Sequence, residues 1–367
     1  MIPFAIFTPL CSPSFPFHTL SEPKIKFVNA VLRKLDREGQ GMVNEYSSAM
    51  DNISPWLVSA WKKDWGENVA QTISDASMKE PPIFLSVKYP PNSSEENRRN
   101  LGLEICNAFG NTTQTLPHGS IRVGEDLSGA ISEWPLYHDG VWWVQDASSS
   151  LPAIALHSAL AKLGNVGEMN VVDLCAAPGG KSAQLVSLGF KHVSAIELSP
   201  RRSRRLHENL DRLQMHDRCT VHIKDGTVWQ PESDLEMNHG VLVDAPCSAT
   251  GTGSKRPDVL RRDEDLSDLL KVQEKLANHC FENLLKPGGV MVYATCSTLK
   301  QESEGQVKKL LNKYAGRIHT VPILKGEIQG FDEAIDSNGW MRVIPGALGG
   351  PLEGCDGFFM ARLQKIS

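Results

Sequence analysis

From about residue 151 onward the chain alternates unbroken apolar runs with amphipathic stretches. Such runs predict strands covered on both faces, because a strand with one exposed face would alternate apolar and polar positions. The predicted strands are 169–176, 192–198, 219–225, 240–246 and 290–296. The predicted helices between them are 180–189, 199–215 and 265–285. This βαβα alternation indicates an α/β fold with a mostly parallel, doubly wound sheet.

The first 150 residues show a mixed pattern. Apolar spacing predicts helices over 24–39, 52–66 and 93–110, a strand over 81–88, and short strand-like pieces up to residue 150. Residues 1–23 hold five prolines and no Lys or Arg, which indicates an irregular arm and not a signal peptide. The predicted segments are the arm (1–23), a helical region (24–66), a small α+β region (67–150) and the sheet domain (151–367).

A glycine-containing loop, DLCAAPGGKS at 173–182, joins the first predicted strand to its helix. Adjacent glycines let a ligand approach the backbone, and the N–H groups at a helix start can hold a carboxylate or phosphate. A P-loop does not fit, because Cys175 stands where that motif requires its first glycine. The dinucleotide pattern G-x-G-x-x-G is also missing from this loop, so a plain tight turn is the alternative.

A carboxylate stands at or near the end of each of the first four strands: Asp173, Glu197, Asp225 and Asp244. Glu197 follows Asp173 by 24 residues, a spacing at which an acidic residue can accept both ribose hydroxyls of a bound nucleoside. A single carboxylate at a strand end is usually a cap for the next helix. Four of them along one sheet edge favour a nucleoside-binding crevice.

Two cysteines follow the fourth and fifth strands, Cys247 in DAPCSATG and Cys296 in YATCS. If these strands are neighbours, both thiols lie over one crevice. A disulfide between them is disfavoured in the reducing compartment that eight scattered cysteines indicate, and a zinc site would need further ligands. A buried cysteine most often serves as a small apolar core residue without a chemical role, and we interpret Cys175, Cys219 and Cys280 in this way.

These motifs, in this order and spacing, resemble the Sun/RsmB family of RNA cytosine-5 methyltransferases. The resemblance covers nearly everything after residue 24, including KFVNAVLRKL (26–35), VQDASS (144–149), LKPGGVMVYATCS (285–297) and DGFFMARL (356–363). The segment KRPDVLRR (255–262) looks closest to the bacterial members that methylate small-subunit (16S) ribosomal RNA. The family implies a Rossmann-like class I methyltransferase fold with a smaller α+β N-terminal RNA-binding region.

The resemblance implies a covalent mechanism. Cys296 would be the nucleophile that adds to C6 of the cytosine, since a thiolate is a soft and easily activated nucleophile. Cys247 would assist product release. Asp244 would hydrogen-bond the N3/N4 edge of the base, and Lys181 would lie beside it.

The implied cofactor is S-adenosylmethionine, with its methionine part over the glycine loop, its ribose on Glu197 and its adenine near Asp225. Family members often carry Asp-Ala where this chain has Asp225-Gly226, and we expect the retained carboxylate to suffice. The expected cofactor-binding residues are Cys175, Ala176, Ala177, Pro178, Gly179, Gly180, Lys181, Glu197, Asp225 and Asp244.

Basic residues near the crevice are expected to hold the RNA backbone. The preferred set follows the Cys247 loop and comprises Lys255, Arg256, Arg261 and Arg262. A second cluster, Arg201, Arg202, Arg204 and Arg205, is either an RNA contact or a solvated helix face. Trp142 and Trp143 could stack on bases, but we interpret them as core residues.

Composition modifies this picture in one respect. The net charge of -5, from 38 basic and 43 acidic residues, argues against a basic nucleic-acid coat. The basic character is local, since residues 181–205 hold six basic residues and one acidic residue. We expect a monomer in the bacterial cytoplasm that binds RNA, with no metal and no membrane association.

The bacterial enzymes also carry a full helical RNA-binding domain, of which only the last helix, around Phe27–Leu35, is recognisable in this chain. We therefore expect residues 24–66 to be a remnant of that domain. Methylation of a different RNA, such as tRNA, and a non-catalytic assembly factor on the same fold are the alternatives. A DNA cytosine-5 methyltransferase is disfavoured, because the chain has no Phe-x-Gly-x-Gly cofactor loop.

Overall fold

The computed structural model describes residues 26–34, 37–38, 41, 48–90, 93–125, 127–231, 238–263 and 265–366. The predicted arm, 1–23, lies outside the described residues. The chain divides into two compact units, Met1–Asp51 and Asn52–Ser367. In the first unit, residues 26–34 form helix α1, within the helix predicted over 24–39. Within the second unit, Asn52–Ser367, the domain borders at residues 66 and 150 stay predictions.

The second unit begins with two helices and a small antiparallel sheet. Its elements are α2 (Pro55–Trp65), α3 (Glu67–Ser77), β1 (Phe84–Val87), α4 (Glu95–Phe109), β2 (Gln114–Thr115), β3 (Ile121–Arg122) and β4 (Trp142–Val144). The strand order is β2-β3-β1-β4. Trp142 and Trp143 are buried, and the Trp142 ring meets Phe109 edge-on at 5.5 Å. Their interpretation as core residues is therefore confirmed.

The central sheet follows, with helices between its strands. Its elements are α5 (Leu151–Ala161), β5 (Asn170–Leu174), α6 (Gly180–Ser187), β6 (His192–Glu197), α7 (Pro200–Arg212), β7 (Cys219–Ile223), β8 (Asn238–Asp244), α8 (Ser267–His279), β9 (Leu285–Thr295), α9 (Glu304–Lys313), β10 (Ile318–Thr320), β11 (Met341–Val343) and β12 (Phe358–Lys365). Strands β9-β8-β5-β6-β7 are parallel neighbours, which confirms the predicted α/β fold. The antiparallel strands β10, β11 and β12 were not predicted.

Helices cover both faces of this sheet. Alternate side chains of a strand point to opposite faces, so Val171 joins a core cluster with α5 and α6, while Val172 joins another with α8 and α9. The strand order reverses between β5 and β8, because β6 and β7 lie on one side of β5 and β8 and β9 on the other. Ligands of such sheets bind outside the carboxyl ends of the strands at this reversal.

A buried ion pair joins β12 to the segment that precedes β11. Arg362 is 1% exposed and donates hydrogen bonds to the Glu327 carboxylate and to the carbonyl oxygens of Ala155, Val321 and Pro322. Burial alone would raise the pKa of Glu327, but the bonds from Arg362 hold it below its usual value. The guanidinium is therefore compensated only while this carboxylate is present.

Replacing Glu327 by Ala is expected to lower the free energy of unfolding by about 3–5 kcal/mol, because it leaves a buried cation without its counter-charge. Urea denaturation measures the change. Glu333, an exposed carboxylate in the same segment, provides the control, and Glu333→Ala should change the value by less than about 0.5 kcal/mol. Equal effects of the two substitutions would contradict the role assigned to the buried pair.

Candidate active site

The loop after β5 is a tight turn with two left-handed residues, Cys175 at φ 64° and Gly179 at φ 103°. A Cβ at Gly179 would lie 2.5 Å from Cδ1 of Leu206, so the packing of α7 against the loop requires glycine there. Asn209 Nδ2 donates to the Pro178 carbonyl oxygen at 2.8 Å and holds the loop against the same helix. The chain then enters α6 at Gly180.

Glu197 ties the end of β6 to this loop. Its carboxylate is 2% exposed and accepts hydrogen bonds from the backbone N–H groups of Ala177 at 3.2 Å and Ser199 at 2.9 Å. Arg202 lies 3.6 Å from the same carboxylate and donates to the Ala177 carbonyl oxygen at 2.7 Å. Each carboxylate oxygen has a second lone pair, so two further donors can bind Glu197.

The next strand end, Asp225, is exposed and accepts hydrogen bonds from the N–H and hydroxyl groups of Thr227, both at 2.8 Å. Two apolar side chains beside these strand ends are exposed, Leu198 by 67% and Val228 by 69%. An apolar residue directly after a strand-end carboxylate, as in Glu197-Leu198, is visible in the sequence and could have indicated this apolar surface, which the motifs alone do not predict.

The two thiols lie side by side. Strands β8 and β9 are parallel neighbours with Asp244 paired to Ala294, which meets the condition under which the sequence brings both thiols to one crevice. The Sγ atoms of Cys247 and Cys296 are 3.5 Å apart, and every cysteine in the described ranges is a free thiol. The hydrogen bond with Cys296, burial and nearby negative charge raise the pKa of Cys247 well above its usual value. Cys247 therefore keeps its proton at neutral pH.

Lys181 and Asp244 form an ion pair across the sheet reversal, with Nζ and Oδ2 2.7 Å apart. Burial would lower the pKa of Lys181, but the charge and hydrogen bond of Asp244 outweigh it and raise the value. The ammonium also lies 5.5 Å from the centre of the Phe358 ring. The pair lines a cavity of about 390 Å³ between β5, β8 and the small sheet.

Lys255 lines the same cavity and does not join the neighbouring arginines. Its ammonium donates to the buried carboxylates of Asp146 and, at 3.1 Å, Asp356. Burial and the Asp146 charge raise the pKa of Asp356 to about 7, and Lys255 opposes them. Both carboxylates belong to short blocks of the resemblance, VQDASS and DGFF, and the sequence analysis did not single them out.

The other basic residues of the two predicted clusters lie mostly on the surface. Arg256 and Arg262 both pair with Asp258, and Arg261 is exposed beside them. On α7, Arg202 belongs to the Glu197 contact described above. The exposed remainder of that cluster is Arg201, Arg204 and Arg205.

Helix α2 supports the loop that follows Cys296. Trp61 Nε1 donates to the Thr298 hydroxyl at 2.7 Å, and Trp65 Nε1 donates to the Thr298 carbonyl oxygen at 2.8 Å. The Thr298 hydroxyl in turn donates to Thr250, in the loop of Cys247, at 2.9 Å. A helix from the start of the unit thus reaches both thiol loops through one threonine.

The chain matches known proteins over most of its length. Residues 161–364 match the family described as "16S rRNA methyltransferase RsmB/F". "Ribosomal RNA small subunit methyltransferase B" of Xylella fastidiosa is 35% identical over 349 residues, which cover 93% of this chain and 73% of that protein. The protein of the same name from Pectobacterium carotovorum is 33% identical, over 94% of this chain and 75% of the relative.

A solved structure shares the fold. It is that of a methyltransferase homolog protein from Pyrococcus horikoshii, with a TM-score of 0.63 and 24% identity, covering 85% of this chain and 100% of that one. At this identity the likeness concerns the fold, and it agrees with the Rossmann-like arrangement of β5–β9.

Asp173, at the end of β5, is a fully buried carboxyl group that accepts a hydrogen bond from the Ser182 hydroxyl at 2.6 Å. Burial raises the pKa of Asp173 to about 7, the Ser182 bond and Lys181 oppose this, and the charges of Asp244 and Glu197 add to it. In the unfolded chain the group ionises near its ordinary pKa of 3.8. Its contribution to stability is therefore lost as the pH rises through about 7.

Between pH 6 and 8 this loss should amount to about 1.4 kcal/mol, because one proton dissociates from the folded state alone. Asparagine does not titrate, so Asp173→Asn should not show this loss. Between pH 6 and pH 8 the free energy of unfolding of the variant should therefore rise by about 1.4 kcal/mol relative to that of the original protein. Urea denaturation at pH 6, 7 and 8 measures it. In Asp139→Asn, a substitution at an exposed position, the free energy of unfolding should change with pH as it does in the original protein. The same pH dependence in Asp173→Asn would show that Asp173 is not the titrating group.

Proposed function

Because the chain belongs to the RsmB/F family of 16S rRNA methyltransferases, we propose that it methylates C5 of a cytosine in 16S ribosomal RNA through a covalent cysteine–C6 adduct. The observation that carries this proposal is the pair of thiols, Cys247 and Cys296, 3.5 Å apart at the ends of adjacent parallel strands. Lys181, at the start of α6, forms an ion pair with Asp244, the last residue of β8 and three residues before Cys247. A single thiol would suffice for addition to the base, and the second supports a separate release step.

The methyl donor is S-adenosylmethionine, which supplies an electrophilic methyl group on a positively charged sulfur. The residues of the sheet edge fit such a ligand. Glu197 has lone pairs for two ribose hydroxyls. The exposed Leu198 and Val228 offer apolar surface for an adenine ring, beside Asp225.

We assign the nucleophile to Cys296. Cytosine C5 is weakly nucleophilic, and addition of a thiolate at C6 converts the ring to an enamine whose C5 carries the electron density. Asp244 is positioned to bind the N3/N4 edge, and Lys181 beside it favours the negative charge that develops on the ring. The thiolate therefore activates the base before methylation.

Release requires the opposite change at the same two carbons. After methylation C5 holds both the methyl group and its original hydrogen; loss of that proton returns the electron pair to the ring and expels the Cys296 thiolate. Cys247 lies 3.5 Å from the sulfur that leaves, so its thiol can pass its proton to the Cys296 sulfur as the C6–sulfur bond breaks, and the resulting Cys247 thiolate accepts the C5 proton. Its raised pKa makes the thiolate a strong base.

We propose that the substrate base enters the cavity lined by Asp244, three residues before Cys247. A base has to leave its stack to reach C6, and the cavity of about 390 Å³ lined by Lys181, Asp244 and Lys255 is suited to an extruded nucleotide. We propose that Arg256, Arg261 and Arg262 contact the RNA backbone outside it. The names of the relatives favour small-subunit ribosomal RNA as the substrate, and we propose that the protein acts on it in the bacterial cytoplasm. Within the described ranges no helix is long and apolar enough to cross a membrane.

Two substitutions test the assignment of the thiols. Cys296→Ala should abolish methyl transfer to 16S RNA, because no adduct can form. Cys247→Ala should instead accumulate a covalent protein–RNA adduct, because release is blocked after addition. Tritiated S-adenosylmethionine measures transfer, and a denaturing gel detects the adduct.

Cys219→Ala is the control, since this buried thiol lies at the start of β7, and it should retain transfer without an adduct. An adduct in Cys296→Ala would reverse the two roles. Transfer to tRNA in place of 16S RNA would support the other substrate class. If methyl transfer were unchanged in both Cys296→Ala and Cys247→Ala, the enzyme proposal would lose its mechanism.

Glu197→Gln tests the cofactor site. A carboxylate that accepts hydroxyl donors contributes about 1.5–3 kcal/mol, so the variant should bind S-adenosylhomocysteine roughly 10- to 100-fold more weakly. Isothermal titration calorimetry measures the affinity. Glu208→Gln, at an exposed position on α7, should bind as the original protein does. Unchanged affinity in Glu197→Gln would remove Glu197 from the site.

A further inference from the structure

We propose that Glu302 is the positioning residue of the methyl transfer, and that its buried carboxylate sets the separation of Cys247 and Cys296 by binding the residue that follows each of them. The inference rests on the proposed function, since it assigns a role within that reaction. The hydrogen bonds of the Glu302 carboxylate go to Ser248 and Ser297 and not to the thiols, so Glu302 acts through these two serines.

Four donors converge on this carboxylate, which has no exposed surface. Oε1 accepts the Ser248 N–H at 3.0 Å and the Gln273 side-chain amide at 2.9 Å. Oε2 accepts the hydroxyl groups of Ser248 and Ser297, each at 2.5 Å. One rigid planar group thus fixes the loop after β8 and the loop after β9 relative to each other.

The attachment extends to both sides of Cys247. Gln273, on α8, also donates to the carbonyl oxygen of Pro246 at 2.9 Å, so the residues before and after the thiol are held. Glu302 itself is fixed by the Tyr293 hydroxyl, which donates to its carbonyl oxygen at 2.7 Å. Tyr293 lies in β9, so the clamp is anchored on the sheet that carries Cys296.

The chemistry requires an ionised acid at this position. A carboxylate is an acceptor at all of its lone pairs, whereas an amide of the same shape has to donate to the two serine hydroxyls. N–H···O bonds are longer than the 2.5 Å bonds that Oε2 accepts from Ser248 and Ser297, so the amide would push the two loops away from Glu302. Burial of the charge is compensated by four hydrogen bonds, which are stronger for a charged acceptor. Glu302 also contributes to the negative charge that raises the pKa of Cys247.

Glu302→Gln tests this role with a probe that responds to thiol spacing. Phenylarsine oxide condenses with two close thiols to form two arsenic–sulfur bonds and one water, and its affinity depends on both sulfurs being within reach. The original protein should bind one equivalent at the Cys247–Cys296 pair. In Glu302→Gln the affinity should fall about tenfold, because the second bond loses its high effective concentration.

The same variant should lower kcat for RNA methylation about a hundredfold while KM for RNA changes by less than threefold, since a displacement of about 1 Å at a reacting group has that cost. Glu302→Asp, which keeps the charge on a shorter side chain, should recover part of kcat and of the arsenical affinity. Glu333→Gln is the control: it alters an exposed carboxylate outside the two thiol loops and should leave both readouts unchanged.

If Glu302→Gln does not fold, as shown by circular dichroism, Ser297→Ala replaces it, because that variant removes one donor and keeps the carboxylate. It should lower kcat and arsenical affinity in the same direction. If the variant that folds has the kcat and the arsenical affinity of the original protein, the positioning role of Glu302 is overturned. An original protein that binds the arsenical but transfers no methyl group would instead overturn the proposed function.

Discussion

The parallel pairing of β8 with β9 is the constraint on which the rest of the site depends. With Asp244 opposite Ala294, both strands deliver their following loops to the same edge of the sheet. Cys247 comes three residues after the first position and Cys296 two residues after the second, so loops of nearly equal length bring the sulfurs into contact. An antiparallel pairing would send the two loops to opposite edges and separate the thiols by the length of a strand.

Around this edge the protein buries acidic side chains where an apolar interior is often at least as stable. Asp173, Glu302 and the Asp146–Asp356 pair are all buried, and each is held by hydroxyl, amide or ammonium donors. Such networks contribute little net stability but restrict the chain to one arrangement, since any displacement leaves a buried charge without its partners. The interior polar groups therefore determine the geometry of the site, while the apolar clusters on the two sheet faces hold the domain together.

The sequence predicted the parallel strands and the adjacency of the thiols, because a strand covered on both faces is apolar along its whole length and because motif spacing is a local property. It did not predict the antiparallel strands β10–β12 or the surroundings of Lys255. Lys255 and Arg256 are neighbours in the chain, yet one enters the cavity and the other pairs with Asp258 on the surface. The partners of Lys255 lie 109 and 101 residues away, and no local pattern relates residues at such distances.

The contact of α2 with Thr298 limits how freely this chain can be divided. Thr298 is fully buried, and its hydroxyl and carbonyl oxygens receive their donors from Trp61 and Trp65. Without that helix the carbonyl would stay desolvated and unpaired in the loop next to Cys296, at a cost of about 1–3 kcal/mol. Helix α2 and the sheet are therefore not interchangeable modules: a recombinant that joined this sheet to another protein's N-terminal half would have an incompletely supported loop after Cys296, so the two parts are constrained to evolve together.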